Sequence, residues 1–223
     1  MERETGTFVP LDGGGAAVAL DEIEIQILRS LAVQLLELIG PGAAEPAADA
    51  DPLAVLFAAD GPTEPPSDPA LARLFPDAYG GPGGDGGADP EEVRAHSAEF
   101  RRFTENDLRT RKREDALAVV RSLDALTLDD GLDDGLDDGL VDGLDEEAAD
   151  AGGGAVLELT GELPLRWLGS LNDLRLTIAA RLEITEDDES AVLFRLPDDD
   201  PRKPMVMAYL WLGGLQETLI ETL

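Results

Sequence analysis

The stretch Leu163 to Leu182, LPLRWLGSLNDLRLTIAARL, decides the fold. At about 100° per residue, Leu163, Trp167, Leu171, Leu174, Ile178 and Leu182 fall on one stripe, and Leu165, Leu168, Leu176 and Ala179 widen it to one side. A face this broad predicts a helix set inside a core. Arg166, Ser170, Asp173, Thr177 and Arg181 share the other flank. Asn172 and Arg175 project from within the apolar side, where an unpaired amide or guanidinium is costly, so each is expected to meet a polar partner from another segment. Asn172, Asp173 and Arg175 are therefore read as a structural polar core that fixes helix register, with no histidine or second inward carboxylate beside them to make a catalytic set.

Downstream, Asp200 and Pro201 start a last helix in which Met205, Met207, Ala208, Trp211, Leu212, Leu215, Leu219 and Leu223 make one broad stripe. Gly213 and Gly214 weaken such a helix by about 1 kcal/mol each relative to alanine, which points to close approach of another helix. Upstream, Asp21 with Glu24 reads as a capping box opening a helix whose stripe is Ile27, Leu28, Leu31, Leu35, Leu38 and Ile39, closed by Gly40 and Pro41. Short helices are expected after Asp51-Pro52 and after Asp68-Pro69, the latter presenting Leu71, Leu74 and Phe75 on one side. From Asp89-Pro90 a helix carries Val93, Phe100 and Phe103. Thr104 with Asp107 reads as a second capping box, which predicts a break there and a new helix from Glu105 to about Ala125. AVLEL from Ala155 alternates weakly, as one short strand, and Phe8-Val9 reads as a thin strand edge. Glu186 to Glu189 reads as an acidic turn and AVLFRL after it as an extended apolar run.

These segments predict an all-α domain of five or six helices, with at most a short β strand or hairpin. The organisation is a flexible N-terminus at 1–19, a helical half at 20–127, a disordered acidic insertion at 128–154, and a second helical half of the same domain at 155–223. The two C-terminal helices are expected to pack together with the Asp21 helix. The insertion is the tandem run LDDG, LDDG, LDDG, LVDG, with eleven acidic and no basic residues between Asp129 and Asp150. Its spacing fits neither an EF-hand loop nor the nonapeptide calcium repeat. The 24 glycines and 15 prolines gather between the periodic segments, as connectors do.

A net charge of -31 opposes broad binding to a phosphate backbone. The absence of cysteine removes disulfides, thiolate nucleophiles and Cys-ligated metal centres from this chain. No run approaches the roughly 18 apolar residues of a membrane span, and the N-terminus lacks a signal-peptide pattern, so a cytoplasmic protein is expected. The run Gly80 to Gly87 has neither a preceding buried strand nor a following Lys-Ser/Thr, and reads as a spacer instead of a phosphate cradle. His96, the single histidine, stands among Arg and Glu residues and reads as a surface side chain. No catalytic, cofactor or metal site is called.

The salient local feature is basic. Arg94, Arg101, Arg102, Arg109, Arg111, Lys112 and Arg113 place seven of the seventeen basic residues in twenty positions. One reading is an arginine-rich helical face for DNA through Arg101 to Arg113; the other is a face ion-paired with the chain's own carboxylates or with an acidic partner. The field of the whole molecule makes DNA the weaker reading. Phe100, Arg101, Arg102, Arg109, Arg111 and Arg113 are taken as the candidate interaction surface, an aromatic anchor beside charge.

Five segments carry a resemblance in order: RSLAVQLLEL (Arg29–Leu38), GPTEPPSDPALARLFPDAY (Gly61–Tyr79), EFRRFTENDLR (Glu99–Arg109), LNDLRLTIAARLEIT (Leu171–Thr185) and YLWLGGLQETLIETL (Tyr209–Leu223). Together they resemble an actinobacterial domain-of-unknown-function family, the one numbered two thousand and seventeen. The resemblance implies a regulator of transcription or of the oxidative-stress response that acts by protein-protein contact, through RNA polymerase or a sigma factor. Members are encoded beside the Clp protease adaptor, so a link to Clp proteolysis is the alternative, and no enzymatic activity is implied. The redox role in that family depends on cysteines, and the lack of them here is a departure, as are the LDDG tract and the Gly80 to Gly87 run.

Overall fold

A computed structural model of the chain describes residues 6–41, 61–80, 89–130, 154–184 and 195–223. The helix expected after Asp51, the glycine run at 81–87, the acidic tract beyond Asp130, and the acidic turn with the start of AVLFRL lie outside the described residues. The described residues form β1 (Phe8–Pro10), β2 (Ala16–Leu20), α1 (Glu22–Ile39), α2 (Pro69–Leu74), α3 (Pro90–Asp130), β3 (Ala155–Leu159), α4 (Leu163–Arg181) and α5 (Lys203–Glu221).

The fold is mostly helical but not strictly all-α. Residues 6–19, expected to be flexible but for a thin strand edge at Phe8-Val9, supply with Leu20 two strands of a three-stranded antiparallel sheet in the order β1-β2-β3, whose third strand is the one expected from Ala155. Phe8 pairs with Val18, and Val18 with Leu157. The signal was weak because β2, AAVAL, is small and uniformly apolar instead of alternating. Its burial explains this composition: four of its five residues are buried. Phe8 anchors the edge strand, its ring 6.1 Å from and nearly perpendicular to Trp167, while its backbone N–H donates to the Thr218 hydroxyl of α5 at 3.1 Å.

α4 occupies the centre, packed against α3, α5, α2 and α1. Trp167, Leu171, Leu174 and Ile178 are buried as their spacing predicts. Because helices surround α4 on several sides, the predicted flanks are partly exchanged: Ser170 and Asp173 are buried, while Leu165 and Asn172 are exposed.

α1 begins with the predicted capping box, Asp21 accepting from the Glu24 N–H and Glu24 accepting from the Asp21 N–H. It ends at Gly40 with φ 79°, a conformation that favours glycine. Its buried residues are Ile25, Leu28, Ala32, Leu35 and Ile39, so the core face is rotated from the stripe expected and Ile27 is exposed. In α5 the buried residues are Val206, Leu212, Leu215 and Leu219; Met205, Met207 and Leu223 face water. Gly213 accommodates a side chain, not a helix: the Arg175 guanidinium lies where a Cβ would touch it, and Gly214 faces open space.

The predicted break at Thr104 is absent. α3 runs 41 residues without interruption, about 60 Å at 1.5 Å per residue. The Thr104 hydroxyl donates to the Phe100 carbonyl one turn back at 2.8 Å, an in-helix alternative to capping. The helix also continues to Asp130, into the first residues of the LDDG tract. Its polar composition is offset by tertiary packing on α1 and α4.

Candidate functional site

The basic cluster of α3 divides into members turned inward and members on the surface. Arg101 is buried with 4% exposure, where an unpaired cation would not be tolerated. It donates to Glu105, to the Asp77 carboxylate at 2.7 Å and to the Phe75 carbonyl at 3.0 Å. Burial alone would lower its pKa, but the hydrogen bonds and charges of Asp77 and Glu105 outweigh this and hold it above the ordinary arginine value. Glu105, itself buried, accepts from Arg109 at 2.7 and 2.9 Å with its second oxygen. One carboxylate thus joins two guanidiniums one turn to either side.

Arg109 and Arg113 extend this network to the end of α1. Arg109 donates to the Ile39 carbonyl at 2.7 Å and stacks over the Phe75 ring at 4.3 Å. Arg113 donates to the carbonyls of Leu36 and Gly40. The last turn of α1 has no basic residue of its own, so these two side chains supply both donors and positive charge at its C-terminus. Lys112 points to α4 and meets the buried Asp173 at 2.5 Å. Burial raises the Asp173 pKa, and the Lys112 hydrogen bond and charge oppose that rise. Arg101 is therefore not part of an interaction surface, and Arg109 and Arg113 are structural clamps. Arg111 remains exposed.

The structural polar core is also redistributed. Asp173 belongs to it through Lys112, and Arg175 donates to the Gln216 side chain at 2.5 Å and lies over the Tyr209 ring at 5.0 Å. Asn172 does not belong to it, being exposed. A further carboxylate, Asp115, lies against Gly169 of α4; burial and the nearby Asp173 and Glu114 raise its pKa, and Arg166 and Arg111 act the other way. The Ser170 hydroxyl is buried without a hydrogen-bond partner. Among the described residues no three His, Cys, Asp or Glu converge as a metal site, and no helix is long and apolar enough to cross a membrane.

Among the charged side chains of its N-terminal half, α3 presents two aromatic rings to solvent, and the segment before it adds a third. Phe100 is 47% exposed, Phe103 63% and Tyr79 50%, far more than packing requires. Tyr79 lies edge-to-face with Phe100 at 6.2 Å and with His96 at 6.2 Å. With Glu99 these residues line an open hollow of about 420 Å³. The segment bearing Tyr79 is held to α3 by the Ser97 hydroxyl donating to the Tyr79 carbonyl at 3.2 Å and by the Arg101–Asp77 ion pair. The rings are thus presented by a fixed backbone. Phe100 was a sequence candidate; Phe103, Tyr79 and His96 were not, and only the RLFPDAY and FRRF segments hinted that they meet.

The chain is a member of the family described as Domain of unknown function (DUF2017), whose model matches residues 5–223. It is also similar to a Mycobacterium leprae (strain TN) protein named "Putative oxidative stress regulator AosR", 29% identical over 204 residues, spanning 90% of this chain and 78% of that protein. No solved structure matches the chain.

Proposed function

We propose that this chain is a cytoplasmic regulatory protein of the oxidative-stress or transcriptional class that acts by docking another protein on the Tyr79–Phe100–Phe103 face. The observation that carries the reading is the exposure of three aromatic rings at one place, Phe100 and Phe103 on α3 and Tyr79 from the segment docked on it, the pattern of an anchor site at an interface. The relative's name favours a regulatory role. The family resemblance puts RNA polymerase or a sigma factor first among partners, with the Clp machinery as the alternative.

Direct DNA binding is disfavoured by the same geometry, since Arg101, Arg109, Lys112 and Arg113 are committed to internal acceptors. An oxidant signal cannot pass through a disulfide within a chain that has no cysteine. It therefore reaches this protein through its partner or through other chemistry. The test is affinity capture from the native host with the wild-type chain and with Phe100→Ala/Phe103→Ala. Loss of a specific partner from the double variant, with helicity unchanged, supports the reading; the same partners on both would refute it.

A further inference from the structure

The geometry points to a cation cage: the hollow formed by Tyr79, Phe100 and Phe103 with His96 and Glu99 receives a lysine, methylated lysine or arginine side chain presented by the protein partner. This inference rests on the docking reading and names the chemistry of its anchor.

Three observations carry it. The rings are set across one another, Tyr79 and Phe100 at 84° and Tyr79 and His96 at 62°, so that their electron-rich faces turn in different directions around one hollow. Such faces attract a cation through the ring quadrupole. Phe103 shows this attraction within the chain, the Arg102 guanidinium lying 5.4 Å from its centroid, so an incoming cation shares that ring with Arg102 or displaces it. Second, Glu99 is the one carboxylate in the lining among the described residues, exposed where it meets an ammonium or guanidinium without a burial penalty. The neighbouring Arg101 does not oppose an incoming cation, because Glu105 and Asp77 neutralise it. Third, the chain carries a net charge of -31, which draws a basic segment toward its surface and repels an acidic one. A purely apolar anchor would use none of these features. An acidic peptide would meet both Glu99 and the molecular field.

The test uses the full chain and short, otherwise uncharged peptides carrying one lysine, one trimethyl-lysine or one norleucine, at fixed ionic strength. Binding is read from the ring proton resonances of Tyr79, Phe100 and Phe103. The lysine and trimethyl-lysine peptides should shift these resonances and bind roughly threefold to thirtyfold tighter than the neutral norleucine peptide. Phe103→Leu, which removes a ring and no charge, should abolish that preference, and Glu99→Gln should weaken lysine binding.

Equal binding of norleucine would overturn the cage and leave an apolar anchor. Undiminished lysine preference in Phe103→Leu would overturn it too, by assigning the effect to the general field. If no peptide moves the rings while Phe100→Ala/Phe103→Ala still loses its captured partner, the cage falls and the docking reading stands. Lysine selectivity with no partner lost would remove the docking reading, and with it the partner's side chain as occupant, and leave only a cation-selective hollow.

Discussion

Replacing Glu105 with glutamine should be among the most damaging single changes in α3, although the residue lies mid-helix in a charged run. Its carboxylate is buried and receives Arg101 on one oxygen and two N–H groups of Arg109 on the other. A glutamine has one acceptor oxygen, so it can serve one arginine, and its amide N–H groups would face the other. Breaking a buried ion pair by removing one partner costs roughly 3–5 kcal/mol. Compensation limits the loss here: Arg101 keeps Asp77 and the Phe75 carbonyl, and Arg109 keeps the Ile39 carbonyl and the Phe75 ring. The expected cost is therefore at the lower end, about 3 kcal/mol, which corresponds to a fall in Tm of roughly 6–12 °C for a chain of this size. Urea unfolding at pH 7 measures it, with Arg111→Gln at an exposed position as the control, expected within about 0.5 kcal/mol of wild type. A Glu105→Gln loss under about 1 kcal/mol would refute the claim that the arginines of α3 are committed to the interior.

Other consequences follow from the α3–α4 contact and from the sheet. The Asp115 carboxyl has its pKa raised by burial, so its neutral form suits the folded state and its ionised form is penalised. Stability from this group is present at pH below the ordinary carboxylate range and is lost as pH rises through its raised value; Asp115→Asn should therefore be more stable than wild type at pH 7 and lose that advantage in acid, as urea midpoints at the two pH values will show. Ser170→Ala removes a buried hydroxyl that has no partner and should stabilise by about 1 kcal/mol in the same assay; a loss of that size would mean that the hydroxyl is satisfied. At Gly15, φ is 108° and an added Cβ would run into the Leu159 carbonyl, so Gly15→Ala should destabilise by about 2 kcal/mol or more, and a neutral result would contradict the described pairing of β2 with β3.

Much of the framework was legible in the residues because it depended on local signals. The Asp21–Glu24 capping box, the Asp68-Pro69 start of α2 and the core stripe of α4 each rest on spacing within a few residues, and each appears as read. Three readings failed where long-range packing decided the outcome. β2 offers no alternation because both its faces are covered, so the strands at Phe8-Val9 and Ala155 were legible but the strand that joins them into a sheet was not. Thr104 has the chemistry of a cap, but α1 and α4 support α3 along its length and the helix does not stop. Asn172 and Asp173 exchanged places because a helix packed on several sides has no single polar flank. The candidate site was half legible: the density of arginines was evident, yet which of them turn inward depended on Glu105, Asp77 and the carbonyls at the end of α1. Phe103 neighbours Phe100 by i,i+3 spacing on α3, whereas Tyr79 joins them only through the docking of one segment on another.

The most direct test of the central claim is a quantitative comparison of partners captured by three versions of the full chain: wild type, Phe100→Ala/Phe103→Ala, and Arg111→Ala. The double aromatic variant should lose a specific protein partner that Arg111→Ala retains. Retention by the aromatic variant together with loss from Arg111→Ala would contradict the claim, and would return the interaction surface to the basic residues.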